Sequence, residues 1–158
     1  MPPTNPATSV RAVLDTNILM DMLHFHDGRA VRLKAAIDAG RVHCFSDAAC
    51  LAELERVAAY PEFGLSPAGR DDLIAACRAI LEVCDEAAAK VDDGTDDALP
   101  RCRDADDQKF LELTARCRAD VLVTRDRQLL RLARHRLKPP PFAILTAEDA
   151  VRTFLPQD

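Results

Sequence analysis

The sequence lacks the features that mark several common classes of protein. No apolar run approaches the roughly 20 residues that span a bilayer, so no membrane span is expected. The six cysteines show no CxxC pairing, which disfavours a zinc site and favours a reduced, cytoplasmic setting. No Ser/His nucleophile motif, GxxxxGKS/T loop or GxGxxG fingerprint is present. The chain is therefore not expected to use the commonest nucleophile-, nucleotide- or zinc-based chemistries.

The length and composition instead favour one soluble domain. With 158 residues, 48% of them hydrophobic, the chain can bury a sizeable core and is not expected to be disordered. Residues 1–10 are polar and proline-rich and lack the apolar region of a signal peptide. We predict a flexible arm over residues 1–10 and a single domain over residues 11–158.

Charge is distributed unevenly along the chain. The net charge of −5 argues against a protein that coats DNA regardless of sequence. Residues 116–138, however, hold eight basic residues and only two acids, whereas residues 92–100 form an acidic loop. The basic stretch is either the solvated face of a helix or a surface for a polyanion.

The hydrophobic pattern alternates between short strands and helices. Strands are predicted over residues 10–14, 41–45, 121–124 and 142–145, with a further short strand over 88–91. Helices are predicted over residues 28–39, 46–59, 66–85, 104–118 and 128–136, followed by a last helix that Thr146 caps. Ser46 is predicted to cap the second of them. This alternation predicts a parallel sheet with helices on both faces.

Two aspartates lie where predicted strands end. Asp15 follows the apolar run of residues 10–14, and Asp126 follows residues 121–124. The carboxyl ends of parallel strands meet at one edge of the sheet, where ligands bind. Close carboxylates repel each other unless a proton or a metal ion neutralises them. The pair therefore predicts a divalent-metal site.

Three further acids are candidates for the same site. Asp104 and Asp107 lie three residues apart in the first turn of a predicted helix, where acids are also common as capping residues. Glu53 borders the apolar face of its helix, whereas its competitor Glu55 points further away. The alternative for Glu53 is a solvated surface position.

Acids without histidine or cysteine partners favour a hard cation. Mg²⁺ and Mn²⁺ prefer oxygen ligands, usually a few carboxylates together with water and substrate phosphate. His24 and His26 fall in a polar segment and are expected to be surface residues. Such a cluster of acids fits phosphodiester chemistry, in which metal ions activate a water and stabilise the leaving oxygen.

The segments that carry these acids resemble the PIN-domain family of metal-dependent nucleases. The similar segments are residues 13–19 (VLDTNIL), 46–57 around Glu53, 103–111 (RDADDQKFL) and 121–126 (VLVTRD) with Leu129 and Leu130. Each segment is weak alone, but all four occur in the family's order. The overall pattern is similar to the branch of toxin components of bacterial toxin–antitoxin systems.

The resemblance implies a three-layer α/β/α fold with a sheet of about five parallel strands in the order 3-2-1-4-5. It implies Mg²⁺- or Mn²⁺-dependent endonucleolytic cleavage of single-stranded RNA, an antitoxin partner and a homodimer. The implied metal-binding and catalytic acids are Asp15, Glu53, Asp107 and Asp126, with Asp104 as an additional metal ligand. Asn17, Ser46 and Thr124 are implied as supporting residues. The acidic loop of residues 92–100 is an insertion just before Asp104 that departs from the family pattern. If it folds over the crevice, it would repel RNA.

The surroundings of Asp126 indicate how RNA would be held. Arg125, Arg127 and Arg131 flank this acid and are candidates for binding flanking phosphates. With no tryptophan, one tyrosine and six phenylalanines, extensive base stacking is not expected.

Two other functions remain open at this point. A phosphatase with an aspartate nucleophile on the first strand usually needs a second aspartate two residues later as general acid, but that position is Asn17. A non-catalytic PIN-like module would bind RNA or protein without cutting. Retention of all four acids argues against it, because idle buried carboxylates cost stability.

Overall fold

The sheet of the computed structural model, which describes residues 9–84 and 99–155, consists of five parallel strands. The strands are β1 (Val10–Leu14), β2 (Val42–Ser46), β3 (Leu81–Val83), β4 (Val121–Val123) and β5 (Ala143–Leu145). Their order is β3-β2-β1-β4-β5, and all four pairings are parallel. The predicted 3-2-1-4-5 fold is confirmed, and β1, which carries Asp15 at its end, lies at the centre of the sheet.

Seven α-helices occur in the described part of the chain. They are α1 (Thr16–Leu23), α2 (Val31–Asp38), α3 (Ala48–Ala58), α4 (Pro67–Ile80), α5 (Gln108–Arg116), α6 (Arg127–Leu132) and α7 (Ala147–Phe154). Single 3₁₀ turns cover Pro61–Phe63 and Ala105–Asp107. Among these residues no helix has the length and apolarity needed to cross a membrane.

The helices cover the sheet on both faces because side chains alternate along each strand. Ala12 and Leu14 of β1 belong to the core formed with α1, α2, α3, α4 and α7. Val13, between them, belongs to the core formed with α5 and α6. Successive side chains of a strand point to opposite faces, so a central strand of this kind supports two separate hydrophobic layers.

Local structure differs from the sequence-based predictions at several places. The helix predicted over 104–118 is observed over Gln108–Arg116, after a 3₁₀ turn, and the helix predicted over 128–136 is observed over Arg127–Leu132. Ser46 is not the cap of α3, because it ends β2; Asp47 is the cap, and its side chain accepts a hydrogen bond from the backbone N–H of Cys50 at 2.8 Å. The predicted helix over 66–85 ends at Ile80, and its last residues form β3. The helix α1 was not predicted.

Some predictions fall outside the described residues. These are the strand over 88–91, most of the 1–10 arm and the loop over 92–98. The end of that loop is described: Leu99 is buried, and the carbonyl oxygen of Pro100 accepts a hydrogen bond from the buried side chain of Gln108. The chain therefore enters the segment that carries Asp104 and Asp107 from a fixed point.

Candidate active site

Asp15 and Asp126 are joined at the carboxyl edge of the sheet by one hydroxyl group. The Oγ1 of Thr124 donates to Oδ2 of Asp15 at 2.7 Å and accepts from the backbone N–H of Asp126 at 3.0 Å. Thr124 is fully buried, and Asp15 is only 5% exposed. Burial raises the pKa of Asp15, while the hydrogen bond from Thr124 opposes this shift. Thr124 therefore fixes the relative positions of the two strand-end acids.

Asp107 lies against Asp126. Burial raises the pKa of Asp107 to about 7, and a hydrogen bond with Asp126 together with the charge of Asp15 adds to the shift. Asp104 contributes less to this pKa, and it caps the 3₁₀ turn by accepting a hydrogen bond from the N–H of Asp106 at 2.9 Å. Asp107 thus belongs to the same cluster as Asp15 and Asp126. Asp104 caps the 3₁₀ turn and lies close enough for its charge to act on Asp107.

Glu53 lies at the border of this group and has its own partners. Its Oε1 accepts from Nζ of Lys109 at 2.7 Å, and its Oε2 accepts from the hydroxyl of Thr16. Its charge contributes to the raised pKa of Asp15. Glu55 points away and faces the exposed Arg78 at 3.5 Å. The structure thus places Glu53, and not Glu55, beside Asp15.

Asn17 and Ser46 are near the site in different ways. The backbone N–H of Asn17 faces the carboxylate of Asp15 and lowers the pKa of that acid, whereas the Asn17 residue itself is exposed. Ser46 is buried at the end of β2, next to β1, and its carbonyl oxygen accepts from the N–H of Cys84 at 2.8 Å. Asn17 therefore contacts Asp15 through its backbone.

The predicted phosphate-binding arginines do not share one environment. Arg125 makes a two-pronged ion pair with Asp21 of α1, at 2.7 and 3.2 Å. Arg127 and Arg131 are exposed on α6, whose amino end Asp126 caps. Arg116, from the same basic stretch, pairs with the buried Asp47. Two arginines of this stretch, Arg116 and Arg125, thus form ion pairs within the fold, whereas Arg127 and Arg131 form an exposed positive surface that follows Asp126 in the chain.

The donor atoms fit a hard divalent cation, although no ready-made cage is present. Asp15, Asp107 and Asp126 supply only carboxylate oxygens, and among the described residues none of the three forms an ion pair. No three His, Cys, Asp or Glu side chains in that part of the chain converge closely enough to hold an ion as they stand. Such a set suits Mg²⁺ or Mn²⁺, which keep several waters and need few protein ligands.

The raised pKa of Asp107 predicts a pH dependence of stability in the metal-free protein. Between about pH 4 and 7 the folded protein keeps a proton that the unfolded chain, with a carboxyl pKa of 3.8, has lost. Stability should therefore fall as the pH rises from 5 to 8, by about 1–2 kcal/mol after allowance for the partial exposure of Asp107. Urea unfolding in EDTA at the two pH values measures this loss.

Asp107→Asn is the matched variant for that measurement, because it cannot titrate. Its stability should change less between pH 5 and 8 than that of the wild type. An equal change in both proteins would contradict the assignment. Added Mn²⁺ should reduce the loss at pH 8 in the wild type, because metal and proton compete for the same carboxylates.

Three side chains at or near the site were missed by the sequence analysis: Thr16, Lys109 and Asp21. Thr16 directly follows Asp15, and Lys109 lies two residues after Asp107 within the segment that resembles the family. Nothing in one sequence shows that Lys109 reaches across 56 residues to Glu53. A charge on an exposed helix is the ordinary expectation for such a lysine.

Comparison with protein families identifies the fold family. The profile described as PIN domain matches residues 11–128, about three quarters of the chain and all of the acids discussed above. No similar curated protein and no similar solved structure was found. PIN domains are generally nucleases and typically use a divalent metal ion. The extent of the match, the strand order and the acids at the carboxyl edge agree, and the chain belongs to the PIN-domain family.

Proposed function

We propose that this protein is a Mg²⁺- or Mn²⁺-dependent endoribonuclease that cleaves single-stranded RNA and serves as the toxin of a toxin–antitoxin pair. The observation that carries the proposal is the meeting of Asp15, Asp107 and Asp126 at the carboxyl edge of the sheet with no cationic side chain paired to them in the described residues. Three adjacent acids cannot all be ionised at low cost without a cation.

Each acid has a separable part in this proposal. Asp15, Asp107 and Asp126 hold the ion, Asp104 lies at the margin of the site, and Glu53 adds a fourth acid at the border. A bound ion supplies a nucleophilic water near neutral pH and positive charge for the developing oxyanion. Thr124 holds the carboxylate of Asp15 close to the backbone of Asp126 through its two hydrogen bonds.

The reaction is an in-line displacement at phosphorus. The oxygen of a water molecule forms the new bond to phosphorus, and the bond from phosphorus to the 3′ oxygen breaks. The attacking water gives up a proton and the leaving 3′ oxygen takes one, so the products carry a 5′-phosphate and a 3′-hydroxyl. Arg127 and Arg131, both exposed on α6, would hold phosphates beside Asp126, whereas Arg125 is paired with Asp21.

A cleavage assay tests the proposal and separates it from the two alternatives. The purified chain with Mn²⁺ and a 5′-labelled single-stranded RNA should give internal cleavage, with EDTA abolishing it. Products with 5′-phosphate and 3′-hydroxyl ends are expected. RNA binding without cleavage would instead favour a non-catalytic module. Metal-dependent release of phosphate from a small ester, with the RNA intact, would favour a phosphatase.

The toxin role rests on the resemblance to that branch and has its own test. We expect a short neighbouring gene that encodes a DNA-binding domain with a disordered tail. Its product should bind this chain, which we propose to be a homodimer, and should block RNA cleavage. Cleavage that is unaffected by a bound product of that gene would contradict the toxin role and leave the nuclease intact.

A further inference from the structure

The acids of the site fall into two groups that differ in their charge balance. Asp15, Asp107 and Asp126 face one another, and within the described residues no lysine, arginine or histidine pairs with any of them. Glu53 and Lys109 form the second group, which is already neutral, with Nζ and Oε1 2.7 Å apart. The need for an added cation is therefore confined to the first group.

Both oxygens of Glu53 already have donors. Lys109 donates to Oε1, and the hydroxyl of Thr16 donates to Oε2. The side chains of Glu53 and Lys109 are only 16% and 19% exposed, so the pair is largely desolvated. Removing one partner of a largely buried pair leaves a charge that is costly to keep. A divalent ion bound directly to Glu53 would have to displace Lys109 and meet that cost.

The two groups are electrostatically linked but not equally. The charge of Glu53 helps raise the pKa of Asp15, whereas the largest charge effects on the pKa of Asp107 come from Asp15, Asp126 and Asp104. Lys109 pairs with Glu53, the acid whose charge acts on Asp15. Its ammonium group is therefore where a second cation would be needed if all of these acids were ionised.

We infer that the Lys109 ammonium takes the place of a second divalent cation beside Glu53, so that the site binds one Mg²⁺ or Mn²⁺ per chain. This inference rests on the proposed metal-dependent function. Lys109 acts as a positioning residue: it holds Glu53 at the border of the crevice, and Asp15, Asp107 and Asp126 bind the ion. Lysine suits this role because its ammonium group is a compact point charge on a flexible side chain.

The number of bound ions tests the inference without any activity measurement. Free Mn²⁺ is titrated against the full chain by electron paramagnetic resonance, and calorimetry gives the affinity. The wild type should bind one ion per chain. Lys109→Met should bind two, the second more weakly, because it leaves Glu53 desolvated and unpaired. Lys109→Arg, which keeps the charge, should bind one.

The outcomes that overturn the inference differ from those that overturn the proposed function. Two ions in the wild type, or a single ion in Lys109→Met, would overturn the inference and leave a metal-dependent nuclease. No Mn²⁺ binding in the wild type would overturn the proposed function and the inference together.

Glu53→Gln keeps the inference testable if Lys109→Met does not fold. This variant should still bind one ion, with an affinity about 10- to 100-fold below that of the wild type, as expected for a residue outside the ligand set. Asp107→Asn, by contrast, should lose tight binding. Loss of the ion in Glu53→Gln to the same extent as in Asp107→Asn would show that Glu53 is a direct ligand and would overturn the inference.

Discussion

Replacing Asp15 with Asn should lower Mn²⁺-dependent RNA cleavage by on the order of 10³-fold while the fold is kept. Asp15 is the most buried acid of the group that lacks a paired cation, and the charges of Glu53 and Asp126 both raise its pKa. The amide oxygen of Asn can still accept the hydrogen bond from Thr124, but the charge that attracts the cation is gone. Single-turnover cleavage of labelled RNA measures the effect.

Stability separates this expected loss from simple unfolding. Because burial raises the pKa of Asp15, its ionised form is unfavourable in the metal-free protein. The Asp15→Asn variant should therefore be as stable as the wild type in EDTA, or more stable. Mn²⁺ should raise the melting temperature of the wild type and not that of the variant.

Glu55→Gln is the matched control, since it changes another acid to its amide two residues from Glu53. Glu55 is exposed and faces only Arg78 at 3.5 Å. Cleavage by this variant should stay within about twofold of the wild type, because exposed ion pairs contribute little. Full activity in Asp15→Asn would show that the metal is held elsewhere.

The sequence predicts most of the sheet because its strands are short apolar runs that end at polar residues. β1 begins and ends where the pattern places it, and β4 and β5 agree to within a residue. β3 was missed because Cys77, Ile80 and Leu81 continue the helical spacing of α4 into the strand. An edge strand of three residues offers too little alternation to outweigh that signal.

The acids of the site could be placed near one another from the sequence, whereas their partners could not. Strand ends and helix starts determine where Asp15, Asp107 and Asp126 lie. The ion pairs Lys109–Glu53 and Arg125–Asp21 join residues 56 and 104 positions apart. Long charged side chains carry no periodicity that reveals such partners, so Lys109 was missed and Arg125 was assigned to RNA alone.

The wrong prediction of the α3 cap also concealed an ion pair, the one between Asp47 and Arg116. Ser46 and Asp47 are both good capping residues, and the sequence alone favoured Ser46. The strand β2 uses Ser46 as its last residue, so the cap moves to Asp47. The second carboxylate oxygen of Asp47 then accepts from Arg116 of α5, which ties the two helices that carry Glu53 and Lys109.

Replacing Asp47 with Ala should therefore destabilise the protein by about 3 kcal/mol. About 1 kcal/mol comes from the lost cap at the N–H of Cys50. The remainder, about 2 kcal/mol, comes from leaving the guanidinium of Arg116, itself half-buried, without its carboxylate. Urea unfolding measures the loss, and EDTA in the buffer removes any contribution of bound metal to stability.

Asp47→Asn divides that loss into its two parts. The amide oxygen of Asn can still accept from the N–H of Cys50, so this variant should lose only the part that belongs to Arg116. Adding Arg116→Met to Asp47→Asn should recover some stability, because the unpaired charge is removed. If Asp47→Ala instead costs less than about 1 kcal/mol, the pair does not hold α3 against α5. Glu53 would then owe its position to Thr16 and Lys109 alone, and the contact between Asp47 and Arg116 would have no part in building the site.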